Sequence, residues 1–253
     1  MLLSLVMESK EDVARNEGVI QIAIDGPAVS GKGTVARLLA KRIGFLCLDT
    51  GALYRGMTIS LMDGGVDLDD VEAVKAAIGS VDLHVELCDD ALTHVFLGSV
   101  DVTQRLHDLD VCQNVYRVAL IPAVRAHVKR IQHDVGCCQN IVCEGRDIGS
   151  VVFPEAQFKF YLTATLKARS IRRFLMEQEK GNAAATMESV TAMIRSRDRM
   201  DKTRPISPLV RAPGAVVIDA SVIRPDEVVD KMIRRIRRTL HGMGRTDICP
   251  KGC

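Results

Sequence analysis

The stretch Gly26-Pro-Ala-Val-Ser-Gly31-Lys32-Gly33-Thr34 constrains this chain more than any other. It follows an apolar run, Val19-Ile-Gln-Ile-Ala-Ile24, that reads as a buried strand. It precedes Val35, Leu38, Leu39 and Ile43, spaced as one face of a helix. Strand, glycine-rich loop and helix in that order make a phosphate site. The glycines let the backbone bend around a phosphate and aim N–H groups at it. The helix N-terminus adds partial positive charge. Lys32 is long enough to reach the outer phosphates, and a hydroxyl such as that of Thr34 suits the shell of a magnesium ion. A plain strand-to-helix turn is the alternative, and the flanking pattern argues against it.

The same alternation continues down the chain. Gly44 is a C-cap for the first helix, and Phe45-Leu-Cys-Leu48 is a short buried strand closed by Asp49-Thr-Gly51. The spacing of Leu53, Tyr54, Met57 and Leu61 predicts a second helix, and Asp69 to Ile78 a short third one stopped by Gly79. Leu83 to Leu87 and Thr93 to Leu97, separated by Asp89-Asp90, predict a half-exposed hairpin. That makes His84 and His94 surface strand residues rather than ligands. A helical region from about Val111 to His133 is divided by Pro122. Asn140 to Cys143, Phe158 to Leu162 and Ala215 to Ile218 complete five core strands. Near-continuous apolar strands with helices between them predict an α/β fold with a five-stranded parallel sheet covered on both faces. The last helix, Pro225 to Leu240, has an apolar face and a cluster of Arg234, Arg235, Arg237 and Arg238. The cluster reads as a solvated face complementing the helix dipole rather than a nucleic-acid contact.

Composition excludes several classes. With 253 residues the chain holds one well-buried domain with insertions, and 47% hydrophobic residues exclude disorder over most of the length. A formal net charge of +2 is too small for a nucleic-acid coat. No apolar run approaches ~18 residues, so no membrane span is predicted. Met1 to Met7 is apolar but short and runs into Glu8, Lys10, Glu11 and Asp12, which reads as a frayed N-terminus and not a secretory leader. The eight cysteines include no Cys-x-x-Cys pair. Cys47 and Cys143 fall in apolar runs, and Cys249 and Cys253 in a polar tail; reduced thiols are expected.

Every strand end carries polar chemistry, where open parallel sheets bind ligands. Asp25 follows the first strand. Asp49 and Thr50, with Tyr54 and Arg55 one turn on, follow the second. Glu144, Arg146 and Asp147 follow the third. Two arginine-rich runs add to this. Arg169, Arg172 and Arg173 share one helical face, and Arg197, Asp201 and Arg204 share another by their intervals of four and three. Arginine's planar fork bonds two phosphate oxygens at once. Two such faces beside a phosphate loop predict a site for several phosphates, and phosphoryl transfer is the chemistry that needs one. No His–Asp pair lies near these motifs, as expected if the acceptor is an already ionised phosphate needing no general base.

These motifs resemble the bacterial-type cytidylate kinases. The loop ends Gly31-Lys-Gly-Thr34, as nucleoside monophosphate kinases do. Asp49-Thr-Gly-Ala-Leu-Tyr-Arg55, Glu144-Gly-Arg-Asp-Ile-Gly-Ser-Val-Val-Phe-Pro154 and Arg197-Asp-Arg-Met-Asp201-Lys-Thr-Arg204 follow in the family's order, across about Val19 to Arg238. The resemblance implies a three-layer P-loop kinase core over residues 19–240. It implies a nucleotide-monophosphate-binding insert at about 64–104 and a short helical lid at about 165–181, with an extension (1–18) and a tail (241–253) outside. It implies ATP:(d)CMP phosphotransfer with Mg2+, in a cytoplasmic monomer without nucleic-acid or membrane partners. Gly26, Pro27, Ala28, Val29, Ser30, Gly31, Lys32, Gly33 and Thr34 would bind ATP. Lys32 with Arg169, Arg172 and Arg173 would stabilise the moving phosphoryl group. Arg55, Arg146 and Arg204 would hold the CMP phosphate, and Arg197 and Asp201 the ribose. Arg125 and Asp147 would read the base, with Thr50 and Tyr54 beside the acceptor nucleotide. Thr34 would bind magnesium directly and Glu144 through water. An aspartate accepts from cytosine's amino group where uracil offers only a carbonyl. Two positions depart from the pattern: Tyr116 stands where a serine is frequent, nine residues before Arg125, and Glu144 where aspartate is common.

Three rival readings use the same residues. A kinase for another acceptor, such as AMP or shikimate, would show no cytosine preference. A regulatory nucleotide-binding module would bind without turnover. An RNA-binding protein would need stacking platforms, and aromatic residues are only 4% with no Trp.

Overall fold

The computed structural model describes residues 18–88 and 91–242. In chain order the elements are β1 (Gln21–Asp25), α1 (Lys32–Ile43), β2 (Leu46–Asp49), α2 (Thr50–Asp63), α3 (Val71–Ile78), β3 (Leu83–Leu87), β4 (Thr93–Leu97), β5 (Val100–Asp101), α4 (Leu109–Leu120), α5 (Pro122–Gly136), β6 (Ile141–Gly145), β7 (Phe158–Thr163), α6 (Leu166–Glu179), α7 (Met187–Thr203), β8 (Val216–Asp219) and α8 (Pro225–Gly242). A parallel sheet runs in the order β2-β6-β1-β7-β8. Chain order reverses about β1, which is flanked by β6 and β7, so the loops above its carboxyl end part to either side.

The sheet is buried on both faces because its strands are apolar on both. Ile22 and Ile24 of β1, with Phe158, Phe160 and Leu162 of β7, pack under α1 and α8. Ala23, Leu48 and Cys143 face α2, α4 and α5. Val228, Val229, Met232, Ile236 and Leu240 of α8 are nearly or fully buried. Each such side chain contributes roughly 1.5–3 kcal/mol. Arg234, Arg235, Arg237 and Arg238 are exposed on the opposite face.

Several expectations change in detail. Asp70 is the N-cap of α3, which therefore starts two residues later than expected. Helix α5 begins at Pro122, a position that needs no N–H donor, and both α4 and α5 outrun the expected limits. The hairpin gains a third strand, β5, to form an antiparallel sheet β3-β4-β5. His84 is exposed and stacks on Phe96 across it. Thr93 ties this sheet to the edge of β2, donating to the Cys47 carbonyl at 3.1 Å and accepting from the Asp49 N–H at 2.9 Å. Arg204 is not on the helical face of Arg197 and Asp201. It is the C-cap of α7, with ψ 139°, because the chain turns into a proline there. Met1 to Met7, Asp89-Asp90, Cys249 and Cys253 lie outside the described residues. The six described cysteines are free thiols, with Cys47 and Cys143 buried. Among the described residues no helix is long and apolar enough to cross a membrane.

Candidate active site

The loop after β1 is shaped by backbone conformations that few sequences tolerate. Gly26 has φ 153°, and a Cβ there would lie 2.0 Å from the Leu162 carbonyl oxygen. Val29 is held at φ 59°, a left-handed conformation that costs a β-branched residue on the order of 1–3 kcal/mol. Such strain persists where the surroundings over-determine it, and this loop is such a place. No side chain caps α1 at Gly31, so its first N–H groups stay open at the loop.

Lys32 is buried, and its amine donates to the Pro27 carbonyl at 2.9 Å. Burial, then Arg146, pushes its pKa down to about 7, against Glu144, Asp201 and Asp25. Burial, then Asp49, pushes Glu144 up to about 7, against Lys32 and Arg146. The Glu144 carboxylate also explains the glycine after the lysine. A Cβ on Gly33 would sit 3.3 Å from Glu144 Oε1, so a larger residue there would push the acid by a few tenths of an ångström. Thr34 is exposed. It lines a cavity of about 140 Å³ with Ser30, Gly31 and Arg172 on one side and Ala220, Ile223 and Val228 on the other.

Asp25 organises the opposite wall. Its two oxygens accept from the Ile148 N–H at 2.8 Å and the Gly149 N–H at 2.7 Å, pinning a wide π-helical turn at Ile148–Val152. Burial lifts its pKa to about 6 despite those bonds. Arg146 and Asp147 link the end of β6 to that turn. Thr50 joins the two sides by donating to the Glu144 carbonyl at 2.8 Å. Gly145 leaves room for it, since a Cβ there would approach Thr50 Oγ1 to 2.6 Å.

Beyond the turn, five arginines converge on a few carboxylates. Arg125 and Asp147 form a buried ion pair, and Arg204 Nη2 lies 3.5 Å from the same carboxylate. The Arg125 guanidinium stands 5.4 Å from the Tyr54 ring centroid. Arg146 Nε bonds buried Asp201 at 2.8 Å, and Arg197 approaches it at 3.6 Å. Arg55 faces Asp49 at 3.8 Å, the residue that caps α2. Arg55 Nη1, Arg197 Nε and Arg204 Nη2 are buried without a hydrogen-bond partner. Unsatisfied guanidinium N–H groups are costly, and an incoming anion satisfies them. Tyr116 belongs to this wall: Arg197 lies over its ring at 5.8 Å.

The arginines of α6 divide. Arg169 grips Asp198 of α7 with both ends of its guanidinium and donates to the Ala28 carbonyl of the loop at 3.0 Å. Arg172 donates to Ser30 O at 3.3 Å and to Ala220 O. Arg173 instead pairs with Glu177 one turn on, at 2.6 Å. The structure thus brings Arg169 and Arg172 to the phosphate loop and turns Arg173 along its own helix.

Asp25 and Asp49 were legible as strand-end residues but carried no assigned role, and two residues were not singled out at all: Asp198, and Gln132, which lines a cavity with Arg125 and Asp147. Asp198 has no signal beyond lying on α7. Gln132 has one, being seven residues after Arg125 and so on the same face of α5. Among the described residues no three His, Cys, Asp or Glu side chains cluster as a metal site.

The model of the family described as cytidylate kinase matches residues 22–238. A cytidylate kinase of Limosilactobacillus fermentum is 39% identical over 221 residues, covering 87% of this chain and 97% of that protein. One of Caldanaerobacter subterraneus subsp. tengcongensis is 38% identical, covering 88% and 97%. One of Streptococcus suis is 37% identical, covering 87% and 98%.

Proposed function

The chain belongs to the cytidylate kinase family, and from that membership we infer an enzyme that transfers the γ-phosphoryl group of ATP to CMP or dCMP. Residues 26–34 take the ATP phosphates on the open N–H groups of α1, with Lys32 against the transferring group. The apolar side of the cavity beside Thr34 suits the adenine. Arg55, Arg146 and Arg204 hold the acceptor phosphate, which supplies oxygens to the unpartnered N–H groups of Arg55 and Arg204. Arg197 and Asp201 take the ribose hydroxyls, and Arg125 with Asp147 reads the base against Tyr54. The acceptor oxygen is already ionised near neutral pH, so no side chain has to remove a proton.

Magnesium fits the donors present: Glu144, its pKa raised first by burial and then by Asp49 beside it, pairs with that second carboxylate in a repulsion that a hard cation relieves. The bound ion would neutralise charge on the phosphates. Glu144, through water, and Thr34 would hold it. Arg169 and Arg172 sit on α6 over the loop, so residues 165–181 act as a lid and 64–104 as the acceptor insert of one kinase domain at 19–240. The enzyme works as a cytoplasmic monomer.

The observation that supports this reading best is the buried Asp147 carboxylate, held between Arg125 and Arg204 beside a cavity of about 190 Å³. It is an acceptor placed for a base that donates. The test is ATP-dependent phosphorylation of CMP, dCMP, UMP, AMP and shikimate with magnesium. Turnover concentrated on CMP and dCMP is expected. Efficient use of AMP or shikimate would discard the base-reading assignment, and ATP binding with no turnover would discard the enzyme.

A further inference from the structure

Among the polar residues of the acceptor cavity that the roles above do not use, Gln132 is the buried one. Helix α5 presents Arg125, Lys129 and Gln132 to it as a stripe, at intervals of four and three. Tyr54, Asp147 and Ser207 line the same space. Gln132 is 1% exposed, and its carboxamide oxygen is buried with no hydrogen-bond partner. A buried acceptor left unbonded is costly, and few survive in a native interior without a purpose. Its neighbours on the stripe are two cations, and a carbonyl oxygen is the end of an amide that positive charge favours on that side.

An exocyclic amino group carries two hydrogens. Asp147 accounts for one of them. We propose that Gln132 is a second specificity-determining residue for the acceptor base, its oxygen accepting the other amino hydrogen of a cytosine-type ring. A uracil ring would set its carbonyl oxygen against both acceptors at once. The inference rests on the acceptor-site reading given above.

The experiment compares kcat/KM for CMP and UMP, with saturating MgATP, in the wild type, Gln132→Met and Gln132→Glu. Met keeps the bulk and removes the acceptor. In that variant kcat/KM for CMP is expected to fall about tenfold, mainly through KM, while that for UMP holds or rises, so the CMP:UMP ratio falls. Glu keeps an acceptor, with Lys129 one turn away to balance its charge, and is expected to keep the ratio. Equal losses on both substrates in Gln132→Met would make Gln132 merely structural and overturn the proposal, as would no loss on either. If Gln132→Met fails to fold by circular dichroism, Gln132→Glu decides alone: a collapsed ratio overturns the proposal and a kept one supports it. A wild type with no CMP preference would instead remove the acceptor-site reading, and this inference with it.

Discussion

Asp147 has three demands on one carboxylate: it neutralises Arg125, faces Arg204 at 3.5 Å, and on the proposed reading accepts from the base. Asp147→Asn preserves its size and removes its charge. Two arginines then lose their counter-charge in a buried site, which costs roughly 3 kcal/mol, readable as a lower midpoint in urea. The amide can also turn an N–H toward a uracil carbonyl. The CMP:UMP ratio of kcat/KM is therefore expected to fall by about two orders of magnitude. A variant with lowered stability but an intact ratio would leave Asp147 structural and take base reading away from it. The types of these residues were legible in the sequence, because arginine and aspartate carry their chemistry wherever they lie. Their pairings were not. Asp198 meets Arg169 across two helices, and Asp25 meets the backbone of Ile148 and Gly149 from another strand. Charge sign alone names no partner. Gly33 is intermediate: a glycine directly after the lysine was visible in the sequence, but what lies against it, the Glu144 carboxylate, appears only in three dimensions.

Elements were legible wherever one period dominated. The core strands read correctly because burial on both faces leaves continuous apolar runs, and Pro122 divided its helix as its missing N–H requires. Strand β5 was missed because Val100–Asp101 is two exposed residues long, too short to show a period. Arg204 fitted a helical interval by count, yet the proline after it ends α7. Gly56 of α2 shows what packing adds to propensity. In an exposed helix, glycine to alanine gains up to about 1 kcal/mol. Here a Cβ would lie 2.6 Å from Val95 Cγ1 and 2.8 Å from Leu83 Cδ1, side chains of the small sheet packed on α2. Overpacking costs about 1–3 kcal/mol, so the clash decides the sign. Gly56→Ala is expected to lower the urea midpoint and to raise KM for CMP more than KM for ATP, since α2 also carries Tyr54 and Arg55. A stabilised variant would mean that the small sheet yields freely against α2.

At the scale of the whole molecule, the parallel sheet gathers the ends of its strands into one region, and Lys32 lies where their charges meet. The folded chain holds this amine at a pKa of about 7, below its ordinary 10.5, chiefly because it is buried and next because Arg146 is near. Between those two values the unfolded chain carries a proton that the folded chain does not. Stability therefore falls as pH drops from about 10 toward 7. Lys32→Met removes that dependence while keeping an unbranched side chain, and loses the bond to Pro27 and the attraction of Glu144, Asp201 and Asp25. Without nucleotide the variant is expected to melt above the wild type near pH 8, with the gap widening as pH falls from 10 to 7. Phosphates at the loop reverse the balance, since anions favour the charged amine. MgATP should then raise the melting temperature of the wild type well above that of Lys32→Met, whose turnover drops by about 10²-fold or more. The order of the two melting curves, read with and without MgATP across this pH range, checks the argument. A variant that melts lower at every pH without nucleotide would show that the attraction of Glu144, Asp201 and Asp25 outweighs the burial of the amine. The lysine would then be a structural ion-pair partner as much as a phosphate ligand.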